Sequence, residues 1–422
     1  MKFVKLKELA NIELSNVDKK IKDDELSVTL CNFVDVYRNW AITNNISKLF
    51  MKATATKNEI KKFTLKKGYV AITKDSETRD DIGIPTYIAD DLENTILGYH
   101  CVLIKPENDK LNGKYLNAIL NSKMAKKYFA NNASGSGQRY TLTVDIIGNF
   151  PIPLIDINEQ KRIGNIFSNI DNKIELNNKI NDELESMAKT IYDYWFLQFE
   201  FPNEEGKPYK SSGGKMVWNE ELKREIPEGW EVKTLYDIAD YINGLACQKY
   251  RPINKDNILP VIKIVEMHNG ITSNTEYVRD DIPLKNIIDT GDILFSWSAS
   301  LEVTLWKGKK AGLNQHIFKV VPKFYPKYYI YMQLSAYIIN FIKIAETRKT
   351  TMGHITIDHL KQSKILLSNI KLAKTYDIFV KDLFEKILLN NIENQELTSL
   401  RDFLLPLLMN GQVGFKGDKA EG

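Results

Sequence analysis

The sequence predicts a mixed α/β (α+β) protein built twice: two pseudo-repeated domains joined by two long antiparallel helices that pair as a coiled coil. Three observations predict it. Lys173-Ile174-Glu175-Leu176-Asn177-Asn178 recurs as Lys386-Ile387-Leu388-Leu389-Asn390-Asn391, and nine of the fourteen positions from 173 to 186 are repeated at an offset of 213. Both copies carry apolar residues at seven-residue spacing. Each is preceded by short β-rich runs broken by polar loops. A repeat this long implies a pseudo-symmetric molecule with two comparable surfaces, suited to gripping an extended or two-fold partner.

Residues 1–157 read as the first mixed domain, with β-rich runs at Leu65–Thr73 and His100–Lys105, closed by Pro151-Ile152-Pro153. Residues 158–200 read as a helix whose stripe is Ile163, Ile170, Asn177, Leu184 and Ile191, supported by Ile166, Ile174, Ile180 and Met187. The turn-rich stretch 201–225, with Pro202, Pro208 and Gly213-Gly214, reads as a linker. Residues 226–369 repeat the domain and 370–412 repeat the helix, with the stripe Tyr376, Leu383, Asn390, Leu397 and Leu404; 413–422 is a tail. The offset also aligns Lys114-Tyr115 with Lys327-Tyr328 and Thr143-Val144-Asp145 with Thr356-Ile357-Asp358. Asn177 and Asn390 occupy matched seam positions. An amide in a coiled-coil seam lowers stability but sets register, because a slipped partner leaves it buried and unpaired. The helices are therefore expected to pair, the alternative being two amphipathic helices each packed on its own domain.

Composition bounds the function. Hydrophobic content of 43% and charged content of 27% over 422 residues suit two or more globular domains, and a net charge of +4 permits nucleic acid as a partner without demanding it. Cys31, Cys101 and Cys247 suit a reducing compartment. With no 18-residue apolar run, the reading is a cytoplasmic protein with no membrane partner. Catalytic signatures are missing. There is no Pro-Pro for the loop with which an adenine methyltransferase holds an everted base. Gly213-Gly214-Lys215-Met216 lacks the spacing and hydroxyl of a phosphate loop. Glu221-Leu222-Lys223 has no supporting acidic motif, and the five histidines, His354 and His359 included, have no zinc spacing. The chain is read as non-catalytic, with no metal and no cofactor of its own.

Ile226-Pro227-Glu228-Gly229-Trp230 through Ala239 resembles the opening of a recognition domain in the specificity subunits of type I restriction-modification systems. Gly291–Ser296, Asn314–Phe318 and Gly353–Leu360 resemble further segments of that domain. No Pro-x-Gly-Trp precedes Val4–Ala10, which faces Val232–Ala239. The resemblance spans the chain and implies two target-recognition domains separated by helical spacers. It further implies a bipartite double-stranded DNA target, two methyltransferase subunits, and restriction subunits with motor and nuclease activity. Because the two domains share little identity outside the framework, the target is expected to be asymmetric. S-adenosylmethionine, ATP and magnesium would belong to those partners. A helix of about 38 residues would reach roughly 57 Å, more than one turn of B-DNA.

Basic and amide-rich loops are the expected DNA contacts, since arginine, lysine, asparagine and glutamine read base edges while other polar groups position the phosphates. In the first domain these are Lys48, Lys52, Lys74, Arg79 and the loop Ser134, Ser136, Gln138, Arg139 and Tyr140. In the second they are Lys249, Arg251, Ser296, Trp297, Asn314 and Gln315 with Arg348, Lys349, Thr350 and His354, the last four facing the first domain's loop in the repeat. Solvated turns are the alternative for these loops. A scaffold of coiled-coil type that binds no DNA is the alternative for the whole chain.

Overall fold

The structure, a computed structural model, describes residues 2–136, 139–253, 257–272, 274–347 and 354–409. The chain forms two compact units, Met1–Glu175 with Glu396–Gly422 and Leu176–Gln395. Each unit contains one mixed domain and a stretch of both long helices, Ile157–Tyr192 and Ile370–Met409.

In the first unit a five-stranded sheet runs Ala10–Leu14, Cys101–Pro106, Val70–Thr73, Pro85–Ile88, Ala41–Ile42, antiparallel except for the last pair. A second sheet sets Leu26–Cys31 between Met51–Ala55 and Thr95–Leu97. The two-residue side-chain period divides the interior. Val70 and Ile72, with Val102 and Ile104, enter one core; Ala71, Cys101 and Leu103 enter the other. A sheet buried on both faces explains why these strands read as unbroken apolar runs. The β-rich run read over Leu65–Thr73 shortens to Val70–Thr73, because Lys66–Tyr69 turns through Gly68 at φ +94°.

The second unit repeats the scheme. Ile293–Ser296 lies between Ile317–Pro322 and Glu302–Leu305, with Ile293 and Phe295 in one core and Leu294 in another. Strand Pro151–Leu154 pairs with Lys2–Lys5, and Lys364–Leu367, 213 residues on, pairs with Glu231–Thr234. Both long helices then start at repeat-equivalent caps. Asp156 Oδ1 accepts from Asn158 N at 2.8 Å, and Asn369 Oδ1 accepts from Leu372 N at 2.9 Å.

Each long helix also holds the start of its domain's own helix. Gln160, fully buried, accepts from Asn112 N at 2.9 Å ahead of helix Gly113–Leu120. In the second unit Asp377 Oδ1 accepts from Tyr328 N at 2.8 Å and Tyr329 N at 3.3 Å at the start of Lys327–Thr347. The same docking is made by two different side chains.

The helices pair antiparallel within both units. In the second, Asn177 Nδ2 donates to Asn394 Oδ1 at 2.9 Å and Glu393 Oε2 at 2.8 Å, while Asn390 Nδ2 donates to Asn181 Oδ1 at 2.8 Å. The matched seam asparagines thus do not meet each other. Each bonds an asparagine four residues along the opposite helix, and the two pairs exchange under the repeat. In the first unit Ile163, Phe167, Leu405 and Leu408 share one core.

Three readings change. Met187 is exposed, and Ala188 and Tyr192 are buried in its stead, because the buried face advances to meet the aromatic cluster of Trp195, Phe196 and Tyr376. The first helix gives way at Asp193–Leu197 to a π turn, so 158–200 is not helical throughout. Residues 201–225 are more than a linker: Phe201 and Tyr209 stack at 4.5 Å beside Trp230, and Met216–Asn219 pairs with Arg224–Pro227. Aromatic burial outweighs the turn-forming composition there.

Candidate nucleic-acid interface

In the first unit three short strands gather most of the expected side chains. Ser134–Ser136 pairs with Arg139–Thr141, which pairs with Asp75–Ser76. Gly135 permits this, because at φ +134° a Cβ there would lie 2.1 Å from Arg139 O. Asp75 sits at the centre. Its Oδ2 lies 2.5 Å from His100 Nδ1, 3.2 Å from an Arg139 terminal nitrogen and 3.2 Å from Lys74 Nζ. Burial raises the Asp75 carboxyl, but hydrogen bonds from Thr141, His100 and Lys74 outweigh it and hold the group below the ordinary carboxylate range. The Arg79 guanidinium lies 5.1 Å over the Tyr140 ring, and Ser134 Oγ donates to Thr141 O.

Beside this cluster lies a concave pocket of about 530 Å³, lined by Phe33, Tyr37, Asp75, Ser76, Glu77, Thr78, Asp81, His100 and Arg139. Tyr37 stacks on Phe33 and donates to Asp81 at 2.6 Å, a carboxylate that pushes the Tyr37 phenol up to about 12. Lys48 and Lys52 are exposed but do not line the pocket, and Lys52 donates to Thr29 Oγ1 at 2.8 Å.

In the second unit Trp297 is the hub. Its ring lies 5.5 Å from both His316 and His354, its Nε1 donates to Asn243 Oδ1 at 3.1 Å, and Gln315 Nε2 lies 3.4 Å from His316 Nε2. Lys249 and Arg251 are exposed at the turn Cys247–Tyr250. Ser296 and Asn314 are corrected to structural roles. Ser296 is fully buried and donates to Ser300 O at 2.6 Å, and Asn314 Oδ1 accepts from His316 N within its own turn. Gln138, Arg348, Lys349 and Thr350 lie outside the described residues.

The sequence reading passed over Asp75, His100, Tyr37, Asp81, Asn243 and His316. One structural signal marks His100: at φ +68° it is a non-glycine residue in the left-handed region, directly beside the cluster. Among the described residues no group of three or more His, Cys, Asp or Glu is placed to hold a metal, and no helix is long and apolar enough to cross a membrane.

The family model of the type I restriction modification DNA specificity domain matches this chain twice, over residues 1–186 and 227–399. The chain belongs to this family. Both matches end inside a long helix, so domain plus helix is the repeated unit. The HindI specificity subunit of Haemophilus influenzae is 25% identical over 408 residues, covering 83% of this chain and 88% of that one. The MjaIX specificity subunit of Methanocaldococcus jannaschii is 25% identical over 355 residues, covering 82% and 75%. The crystal structure of a type I restriction-modification S subunit from M. genitalium shares the fold, with a TM-score of 0.52 at 14% identity over 96% of this chain and 95% of that one. The chain is a sequence-specific DNA-recognition component of a restriction-modification complex, and a specificity subunit recognises DNA rather than catalysing.

Proposed function

We propose that the two domains read the two unlike halves of a bipartite, asymmetric target, with a stretch of unread base pairs between them. What supports this is one framework carrying two chemically different surfaces. The first gathers arginine, imidazole and carboxylates around Asp75; the second gathers a tryptophan, two imidazoles and an amide. Surfaces so different match different base edges. Further partners belong to the same reading: two methyltransferase subunits using S-adenosylmethionine, and restriction subunits using ATP and magnesium, in the cytoplasm. The recognition boundaries proposed are 1–157 and 226–369, with Lys48, Lys52, Lys249 and Arg251 as phosphate contacts. The test replaces residues 226–369 by the second domain of another family member and sequences the methylated motif in a host that also expresses the methyltransferase. One half-site should change and the other persist. A change in both halves would end the modular reading, and duplex binding indifferent to both salt and sequence would favour a scaffold.

A further inference from the structure

We infer that Asp75 is a positioning residue that presents Arg139, backed by His100, to a guanine in the half-site read by the first domain. The inference rests on the DNA-recognition role of that domain and specifies one base and its reader.

The Arg139 side chain is 60% exposed while that of Asp75 is 9% exposed, so a fixed, sheltered anion anchors a cation that reaches outward. One terminal nitrogen of Arg139 lies 3.2 Å from Asp75 Oδ2, and His100 Nδ1 donates to the same carboxylate oxygen, so the imidazole orders the anion that holds the guanidinium. Three separate segments supply the cluster: Asp75 from its short strand, His100 from a turn at φ +68°, and Arg139 from the strand of the glycine-bearing hairpin. Thr141, His100 and Lys74 already satisfy the sheltered carboxylate, and a further cation that is itself largely exposed adds little to stability, so fold stability is a weak reason for the presence of Arg139. Orientation is a stronger one. A tethered guanidinium has already lost much of its rotational freedom before DNA arrives, and its remaining N–H groups form a planar fork.

The surroundings distinguish a base from a phosphate. Asp75, Glu77 and Asp81 all line the pocket that Arg139 borders. Three carboxylates repel a phosphodiester, whereas a base edge carries no net charge. Guanine alone offers two adjacent major-groove acceptors, N7 and O6, to an arginine fork, and the N4 amino group of its paired cytosine is a donor that a carboxylate can accept.

The test uses the full chain co-expressed with its methyltransferase, reading the methylated motif in the host genome and the binding of the purified complex to a library of duplexes. Arg139→Ala should lower discrimination at one G·C position of one half-site by roughly tenfold to a hundredfold, leaving the other half-site unchanged. Arg139→Lys should not rescue it, because an ammonium lacks the fork. Asp75→Asn should loosen the same position to a smaller degree. Equal weakening on all sequences would make Arg139 a phosphate contact and overturn the proposal, as would an unaltered motif in Arg139→Ala. Should Asp75→Asn unfold the first domain, the exposed Arg139 still decides the outcome. A parent complex that shows no sequence preference would instead sink the recognition role itself.

Discussion

Asp171 offers a measurement in which burial and charge pairing make opposite forecasts. It lies on the first long helix in the first unit, where burial pushes its carboxyl up to about 7 from an ordinary 3.8, Arg401 pulls it down and Glu175 pushes it further up. Arg401 fails to offset burial for a visible reason: its guanidinium lies 4.6 Å over the Trp40 ring and its Nε pairs with Asp402 at 3.4 Å. Glu175 is kept nearby by a 3.0 Å hydrogen bond from Thr43 Oγ1. A carboxyl whose folded pKa is raised binds its proton more tightly folded than unfolded. Its stabilisation is fully present below pH 3.8 and is lost as the pH rises to about 7. At about 1.36 kcal/mol per pKa unit the ionised group costs the fold about 4 kcal/mol. Asparagine mimics the protonated acid and never ionises. Asp171→Asn should therefore match the parent chain near pH 4 and exceed it by about 3–4 kcal/mol above pH 8, read as a urea midpoint higher by about 1–2 M. An Asp171→Asn chain no more stable than the parent at pH 8, or less stable, would show that the attraction to Arg401 outweighs burial, and the reasoning would fail.

Two further outcomes follow from the second unit. Replacing Asn390 by Leu alone should cost about 1–3 kcal/mol, because it removes the donor to a buried Asn181 amide, while replacing both Asn181 and Asn390 by Leu should recover most of that loss; a double variant no better than the sum of the singles in a denaturation cycle would contradict the pairing. Asp377→Ala, which strips two backbone N–H groups at the start of Lys327–Thr347 of their acceptor, should lower the stability of the chain by about 1–2 kcal/mol in urea unfolding.

What sequence could show, and what it could not, divides along the range of the interactions. The duplication, the domain-then-helix order and the pairing of the helices were legible because each is written as a period, 213 residues in one case and seven in the others. The partner of each seam asparagine was not. A heptad places Asn177 and Asn390 in the interface, but which residue they meet depends on the stagger of the antiparallel helices, and that stagger brings Asn394 and Asn181 opposite them. The linker reading failed for a related reason: Pro202, Pro208 and the glycines are local signals, whereas Tyr209 stacks on Phe201 and Phe201 on Trp230, 29 residues further along the chain. At the candidate interface the basic residues Lys74, Arg79 and Arg139 were legible by type. The group that organises two of them was not, because an aspartate at position 75 looks like any solvated carboxylate until the fold delivers His100 and Arg139 to it. Ser296 shows the same limit in reverse: its hydroxyl resembles a DNA contact in sequence, yet the strand that carries it turns it inward to a carbonyl four residues on. Framework residues such as Asp156 and Asn369 make contacts common to both copies of the repeat, so duplication reveals them, although Gln160 and Asp377 dock their helices from positions that are not equivalent. The candidate interface residues differ between the copies, Asp75 and Arg139 in one and Trp297 and His316 in the other, so repetition cannot mark them and only three-dimensional convergence can.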